Sequence, residues 1–333
     1  MDAPKISVVI PLYNAEKLIR QCLVSVLASK FTDYEVLIVD DCSTDNSLAE
    51  VKKISPHFGG RLKIFSTEEN SGGPGTPRNV GLKNSAGKYV TFIDNDDMIL
   101  PDALGNFFAL AEAYGADVVH TEKYFGCINE FDGKHLDVCY TADEKNLVSE
   151  PTFEPVDLAY RMWHFIYGKF STMPWSKLFR REFLLENKIE FPDRIQYGED
   201  FVFCFKCLCL AKKYLLVPHV TNLRRARTSS ASHISAGLNE MVRLWLKISF
   251  VKLAALDEFM GGLEFFKATP DCRHDVLKFC MKTEFGIVDN YFRTVPPHIL
   301  QKALFDELQN PALDSTGKNI FTAHLCTEKF STR

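Results

Sequence analysis

Three carboxylates, Asp94, Asp96 and Asp97, crowd together directly after the apolar run Tyr89-Val90-Thr91-Phe92-Ile93. Like charges this close repel, and each raises its neighbours' pKa unless a cation neutralises them. Oxygen-only donors on a tight turn suit a hard divalent ion, Mg2+ or Mn2+, of the kind that also takes substrate phosphates. The competing reading is a solvated acidic turn in which Asp97 helps to start the next helix. Two further polar pairs end apolar runs: Tyr13-Asn14 after residues 6–12, and Asp40-Asp41 after residues 35–39. Glu199 and Asp200 open the apolar stretch Phe201 to Leu210, where they serve either as helix-dipole partners or as a catalytic carboxylate. Residues 224–232 form the one local basic run, either a solvated loop or a set of guanidinium and hydroxyl groups suited to a diphosphate.

These groups need a frame. Short buried runs at residues 6–10, 35–39, 62–65, 89–93 and 117–121 alternate with helical patterns, the first helix beginning near Ala15. Thr76 and Pro77 read as the cap and first residue of the helix that carries Arg78 and Asn79. Gly72, Gly73 and Gly75 read as a flexible loop before it. Pro101 starts a helix ending by Gly115. Such alternation predicts an α/β domain with a parallel, doubly wound sheet. Ligands of these sheets bind beyond the carboxyl ends of the strands, where strand order reverses. Tyr13-Asn14, Asp40-Asp41 and the acidic turn all fall at such ends, which favours the metal-and-phosphate reading over solvated surface.

The totals narrow the field. The chain has 333 residues, 46% hydrophobic and 25% charged, as in ordinary globular proteins. Its 39 basic and 43 acidic residues give a net charge of −4, without the basic excess of a nucleic-acid binder. The start of the chain carries no signal-peptide pattern, and Lys247 and Lys252 interrupt the longest apolar candidate for a membrane span. The ten cysteines lack framework spacing and read as reduced thiols of a cytosolic protein, with Cys204, Cys207 and Cys209 buried on an apolar helix rather than binding zinc. Neither G-x-G-x-x-G nor G-x-x-x-x-G-K-[ST] occurs at the first turn, which excludes the dinucleotide and P-loop enzymes. Trp163, His164, Phe165 and Tyr167 read as packing, or as rings that stack on a sugar. From Gly237 to Gln309 the pattern is helical, with a core stripe of Met241, Leu244, Trp245, Ile248 and Val251, and residues 310–333 carry no signal.

The ordered set of motifs resembles the family 2 glycosyltransferases. It comprises residues 6–14, 39–47, Arg78-Asn79-Val80-Gly81 and Phe92-Ile93-Asp94-Asn95-Asp96-Asp97. Residues 175–180, Tyr197-Gly198-Glu199-Asp200 and the Arg225-x-Arg227-x-x-Ser230-x-Ser232 pattern resemble the bacterial members that build capsule, exopolysaccharide or lipopolysaccharide. The resemblance covers residues 5 to about 232. It implies the A-type glycosyltransferase (GT-A) fold, with a doubly wound, mostly parallel, Rossmann-like sheet and a helical C-terminal region. The implied division is a nucleotide-sugar half at 1–121, an acceptor half at 122–235 and a helical region at 236–333.

The same resemblance implies an inverting, hexosyltransferase-type transfer from a nucleotide sugar, by family habit a UDP-sugar, to a glycan or lipid-linked acceptor. A lipid-linked acceptor would place the cytoplasmic enzyme at the inner face of a membrane. By the resemblance, Pro11, Tyr13 and Asp41 hold the nucleobase, and Asn14, Asp40 and Arg78 lie at the nucleotide site. Asp94, Asn95 and Asp96 match the D-x-D element. Asp96 and Asp97 contact ribose, diphosphate and the Mn2+ or Mg2+ ion. Asp200, or Glu199, is the general base, and Arg225 and Arg227 close over the diphosphate. Cys42 and Asn95 replace the small residues common at those positions. Two other functions compete: a sugar-nucleotide pyrophosphorylase, which lacks support because Pro11 to Glu16 is not a basic glycine-rich loop, and a catalytically silent nucleotide-sugar-binding protein.

Overall fold

The computed structural model describes residues 3–127, 138–140, 148–193, 195, 198–225, 237–292, 295–313 and 315–325. The chain forms two compact units, Met1–Arg227 and Thr228–Arg333.

In the first unit, β1 (Ile6–Leu12) is buried at every position, as an unbroken apolar run requires of a strand covered on both faces. It is followed by α1 (Ile19–Leu27), β2 (Tyr34–Asp40), α2 (Ser47–Ile54), β3 (Leu62–Ser66), α3 (Gly75–Asn84) and β4 (Tyr89–Phe92). β2 and then β3 pair in parallel on one side of β1, and β4 pairs in parallel on the other. The reversal of strand order therefore lies between β1 and β4, beside the acidic turn. The chain continues through β5 (Met98–Ile99), α4 (Ala103–Tyr114), β6 (Val118–His120), β7 (Tyr124–Cys127), β8 (Val138–Tyr140), β9 (Thr152–Phe153) and α5 (Leu158–Ile166). It ends with β10 (Lys177–Arg180), α6 (Arg181–Glu186), α7 (Glu199–Leu210), β11 (Tyr214–Leu216) and β12 (Asn222–Arg225).

Among the described residues the main sheet runs β3-β2-β1-β4-β10-β6-β11-β9, and a smaller one runs β5-β12-β7-β8. The main sheet is mostly parallel, as expected, but β10 enters antiparallel between β4 and β6, and β9 is an antiparallel edge. β10 is a four-residue strand that runs directly into α6, so its own sequence carries too little period to announce it. Pairing with two distant strands decides it.

Both faces of the sheet are covered. Val8, Ile10 and Ile93 join a core with α1, α2 and α4. On the other face α3 lies so close that a Cβ at Gly81 would stand 2.2 Å from Val9. An aromatic cluster fills the rest of that face: Phe92 of β4, Phe179 of β10, Phe191, and Phe203 of α7, with Phe191 and Phe203 stacked at 3.9 Å. These rings tie the end of β4 to the helix that begins with Glu199.

Several local expectations are corrected. α1 starts at Ile19 rather than near Ala15: a turn precedes it, closed by the Leu18 and Ile19 amides on the Ala15 carbonyl, both at 2.9 Å, while the Ala15 and Glu16 amides donate to Ser47 Oγ and Asp45 Oδ2, 2.6 and 3.1 Å. Thr76 is no cap: α3 begins at Gly75 without a side-chain cap, and Thr76 Oγ1 donates to Asp193 Oδ1 at 3.2 Å. Gly75 is therefore helical, not loop. Asp97 starts no helix, since β5 intervenes. Cys204, Cys207 and Cys209 are buried thiols outside any disulfide, as expected, and burial pushes Cys204 up to about 12. Trp163 and Tyr167 are exposed, whereas Phe165 is core.

The second unit contains α8 (Leu238–Gly261), α9 (Glu264–Ala268), α10 (Pro270–Phe292), α11 (Pro297–Leu308) and α12 (Ser315–Leu325). The buried face of α8 includes Met241, Trp245, Leu246, Phe250, Leu253 and Leu256, whereas Leu244, Ile248 and Val251 of the expected stripe are only half-buried. α12 forms where no element was expected. Its Gly317 packs so tightly that a Cβ there would lie 2.3 Å from the Phe250 carbonyl oxygen. Among the described residues no helix is long and apolar enough to cross a membrane.

Candidate active site

The acidic turn closes on itself, with the Asp97 amide donating to the Asp94 carbonyl at 3.1 Å. One carboxylate oxygen from each of Asp94, Asp96 and Asp97 lies within 4.8 Å of the others. Asp97 is buried, and burial followed by the charges of Asp96 and Asp94 raises its pKa well above the carboxylate range, opposed by the Arg225 amide that donates to its Oδ1 at 2.9 Å. A carboxyl held this uncomfortably next to two others fits a cation: a divalent ion would relieve the repulsion and return Asp97 to its charged form. The oxygen-only donor set fits Mg2+ or Mn2+. Asn95 donates from Nδ2 to the Pro11 carbonyl at 3.0 Å, locking this turn to the end of β1 across the switch point.

Arg78 joins the turn to α7. Its Nη2 donates to Asp94 and its Nη1 to Glu199, both at 2.8 Å. Burial opposes its charge, but Asp94, Glu199 and Asp200 outweigh that and hold its pKa above the arginine range. Gly198, with φ of +83°, turns the chain into α7 so that Glu199 enters the interior. Burial, then the neighbouring Asp200, push Glu199 up to about 7 against the pull of Arg78. Asp200 is only half-buried and its Oδ1 accepts from the Phe201 amide at 2.7 Å. The two carboxylates thus part: Glu199 is buried against Arg78, and Asp200 is half-exposed. Arg78 itself, expected at the nucleotide, is engaged by two carboxylates.

At the neighbouring strand ends, Leu12 pairs with Asp40, and the Asp41 amide donates to the Leu12 carbonyl at 2.8 Å, which sets Tyr13 and Asp41 side by side in the fold. Tyr13 is 47% exposed. Asp41 is buried and accepts from Thr67 Oγ1 at 2.8 Å and from the Ser71 amide and hydroxyl at 3.1 and 2.9 Å. It thus clamps the polar loop after β3, which its sequence position did not reveal. Asp40 Oδ1 accepts from the Ser43 amide at 3.3 Å, and Asn14 Oδ1 accepts from the Thr44 amide at 2.8 Å. Cys42 has φ of +59°, the left-handed region that favours glycine and asparagine, which is where its departure from a small residue bears.

Arg225 lies not in a loop but in β12, buried, with its amide on Asp97 and its Nη2 donating to Gln21 Oε1 of α1. Gln21 had no sequence signal beyond its place on an amphipathic helix. Arg227, Tyr197 and residues 228–232 lie outside the described residues.

An open, mostly parallel sheet with an acidic turn at its switch point, joined through an arginine to a second carboxylate pair, is the arrangement of a GT-A glycosyltransferase. The chain matches the glycosyl transferase family 2 profile over residues 7–190, and it belongs to that family. Over 211 residues it is 34% identical to the poly(ribitol-phosphate) β-N-acetylglucosaminyltransferase TarS of Staphylococcus aureus, covering 63% of this chain and 33% of TarS. The poly(ribitol-phosphate) β-glucosyltransferase of Bacillus spizizenii is 36% identical over 211 residues, 63% of this chain and 30% of that protein. The matched stretch thus spans about a third of these relatives. TarS residues 1–349 with UDP-GlcNAc superimpose with a TM-score of 0.67 at 25% identity, covering 96% of this chain and 81% of that one. A mannosyltransferase from Pyrobaculum calidifontis, in complex with GDP-Man and Mn2+, shares the fold at 15% identity and a TM-score of 0.53, covering 100% of this chain and 89% of that one. Family membership sets the pyrophosphorylase reading aside.

Proposed function

We propose that the chain transfers a hexose or N-acetylhexosamine from a UDP-sugar, with inversion, to a hydroxyl of a cell-surface glycan, polyol-phosphate or lipid-linked acceptor. The observation that carries this reading is the acidic turn linked through Arg78 to the Glu199-Asp200 helix start. Asp96 and Asp97, with Asp94 at hand, hold a Mn2+ or Mg2+ ion, which supplies charge neutralisation for the departing diphosphate. Tyr13 stacks on the uracil, Asp41 accepts from its ring N–H, and Pro11, Asn14 and Asp40 line the same side. Arg225 and Arg227 add cationic donors for the diphosphate, where developing charge is best stabilised by preorganised groups. Asp200 takes the proton of the acceptor hydroxyl as it attacks the anomeric carbon from the side opposite the leaving diphosphate. Direct displacement with one base inverts that centre. Glu199 holds Arg78 rather than the proton.

The relatives' activities on poly(ribitol-phosphate) support a polymer acceptor, which we assign to residues 122–235. A lipid-linked form of that polymer would bring the chain to the cytoplasmic face of a membrane. Calorimetry with UDP tests the reading: affinity strengthens with Mn2+, and Asp96→Ala combined with Asp97→Ala abolishes that gain. Equal UDP affinity in Mn2+ and in EDTA refutes it. Release of UDP from UDP-GlcNAc or UDP-glucose then separates an enzyme from a protein that only binds.

A further inference from the structure

The α1 face beside the acidic turn is built around it. Cys22 Sγ contacts the Asp94 carbonyl at 3.6 Å, Ser25 Oγ accepts from the Ile99 amide at 3.1 Å, and Gln21 Oε1 accepts from Arg225 Nη2. The guanidinium of Arg225 is buried, and among the described residues its Nε has no hydrogen-bond partner. Its backbone amide is meanwhile fixed on Asp97. The residue whose amide is bound to Asp97 thus directs its guanidinium to a neutral carboxamide.

We propose that Gln21 is a positioning residue for the donor site, orienting the Arg225 guanidinium at the acidic turn so that its charge serves the diphosphate. This rests on the reading of the turn as a metal–diphosphate site. The chemistry of the partner matters. An arginine side chain without a fixed partner is rich in rotamers, and the turn to which its own amide is bound offers carboxylate acceptors. Pairing there would spend the cation on groups that the metal needs. A carboxamide orients the guanidinium through one hydrogen bond without neutralising it, so its full charge stays available to the incoming anion. A carboxylate at the same place would pair with Arg225 and add a fourth negative charge beside the turn.

A double-mutant cycle on UDP affinity in Mn2+ tests this. Gln21 is a half-buried helix position, so Gln21→Met keeps length and helix propensity while removing the acceptor. Gln21→Met is expected to weaken UDP binding about tenfold, as loss of a hydrogen bond to a charged group would. Gln21→Glu is expected to weaken it at least as much. In an Arg225→Ala background, Gln21→Met is expected to have no further effect, because it acts only through Arg225. The inference is overturned if Gln21→Met leaves the affinity unchanged, or if it weakens binding equally with and without Arg225, since a merely structural role adds in this way. If the unaltered protein does not bind UDP in Mn2+, the metal–diphosphate reading falls and takes this inference with it.

Discussion

Replacing Glu199 with glutamine decides whether burial or pairing governs the floor of the site. Glu199 is 5% exposed, adjoins Asp200, and shares the single Arg78 guanidinium with Asp94. Burial and Asp200 outweigh Arg78, so its pKa rises from 4.5 to about 7. Between those values the folded chain holds a proton that the unfolded chain has released, and stability falls as pH rises through the window. A rise of that size corresponds to about 3 kcal/mol at most. Glutamine keeps the oxygen that accepts from Arg78 but cannot ionise. In EDTA, Glu199→Gln should therefore match the unaltered protein to within about 1 kcal/mol near the acid end of the window. It should gain on it as pH rises, by up to about 3 kcal/mol near pH 8. Urea unfolding of both proteins at several pH values, followed by near-ultraviolet circular dichroism, measures the difference directly. A stability difference that is flat with pH, or one in which the variant loses ground as pH rises, refutes the reasoning. It would mean that the Arg78 pair keeps Glu199 ionised throughout and that breaking it carries the larger cost.

Two further outcomes follow from the same geometry. Asp200→Asn should keep UDP and metal binding but lower turnover by roughly 10²–10⁴, the usual worth of a positioned base, with Glu199→Gln costing less; near-normal turnover in Asp200→Asn would remove it from the chemistry. Asp41→Ala should weaken UDP binding and also free the Thr67–Ser71 loop that it clamps, so faster amide exchange at Ser71 should accompany the affinity loss. A crystal with UDP whose uracil lies away from both Tyr13 and Asp41 would refute the base-pocket assignment.

Much of this protein is legible locally. β1, β2 and β4 read as buried runs, α7 as an apolar helix opened by two carboxylates, and the polar clusters as carboxyl-end turns, because burial periodicity and strand ends are properties of neighbouring residues. That local pattern was enough to gather Asp94, Asp96 and Asp97 at one strand end and to resemble the right family. Tertiary structure alone decided who meets whom. The insertion of β10 between β4 and β6 depends on pairing with strands far away in the chain, and four residues cannot encode it by period. Arg78 read as a nucleotide contact, and only the fold brings it to Glu199, 121 residues away, and turns it into the link between the acidic turn and the start of α7. Gln21 reaches Arg225 across 204 residues by the same route. Charge partners and pKa shifts depend on distance and burial in space, neither of which any stretch of sequence contains by itself.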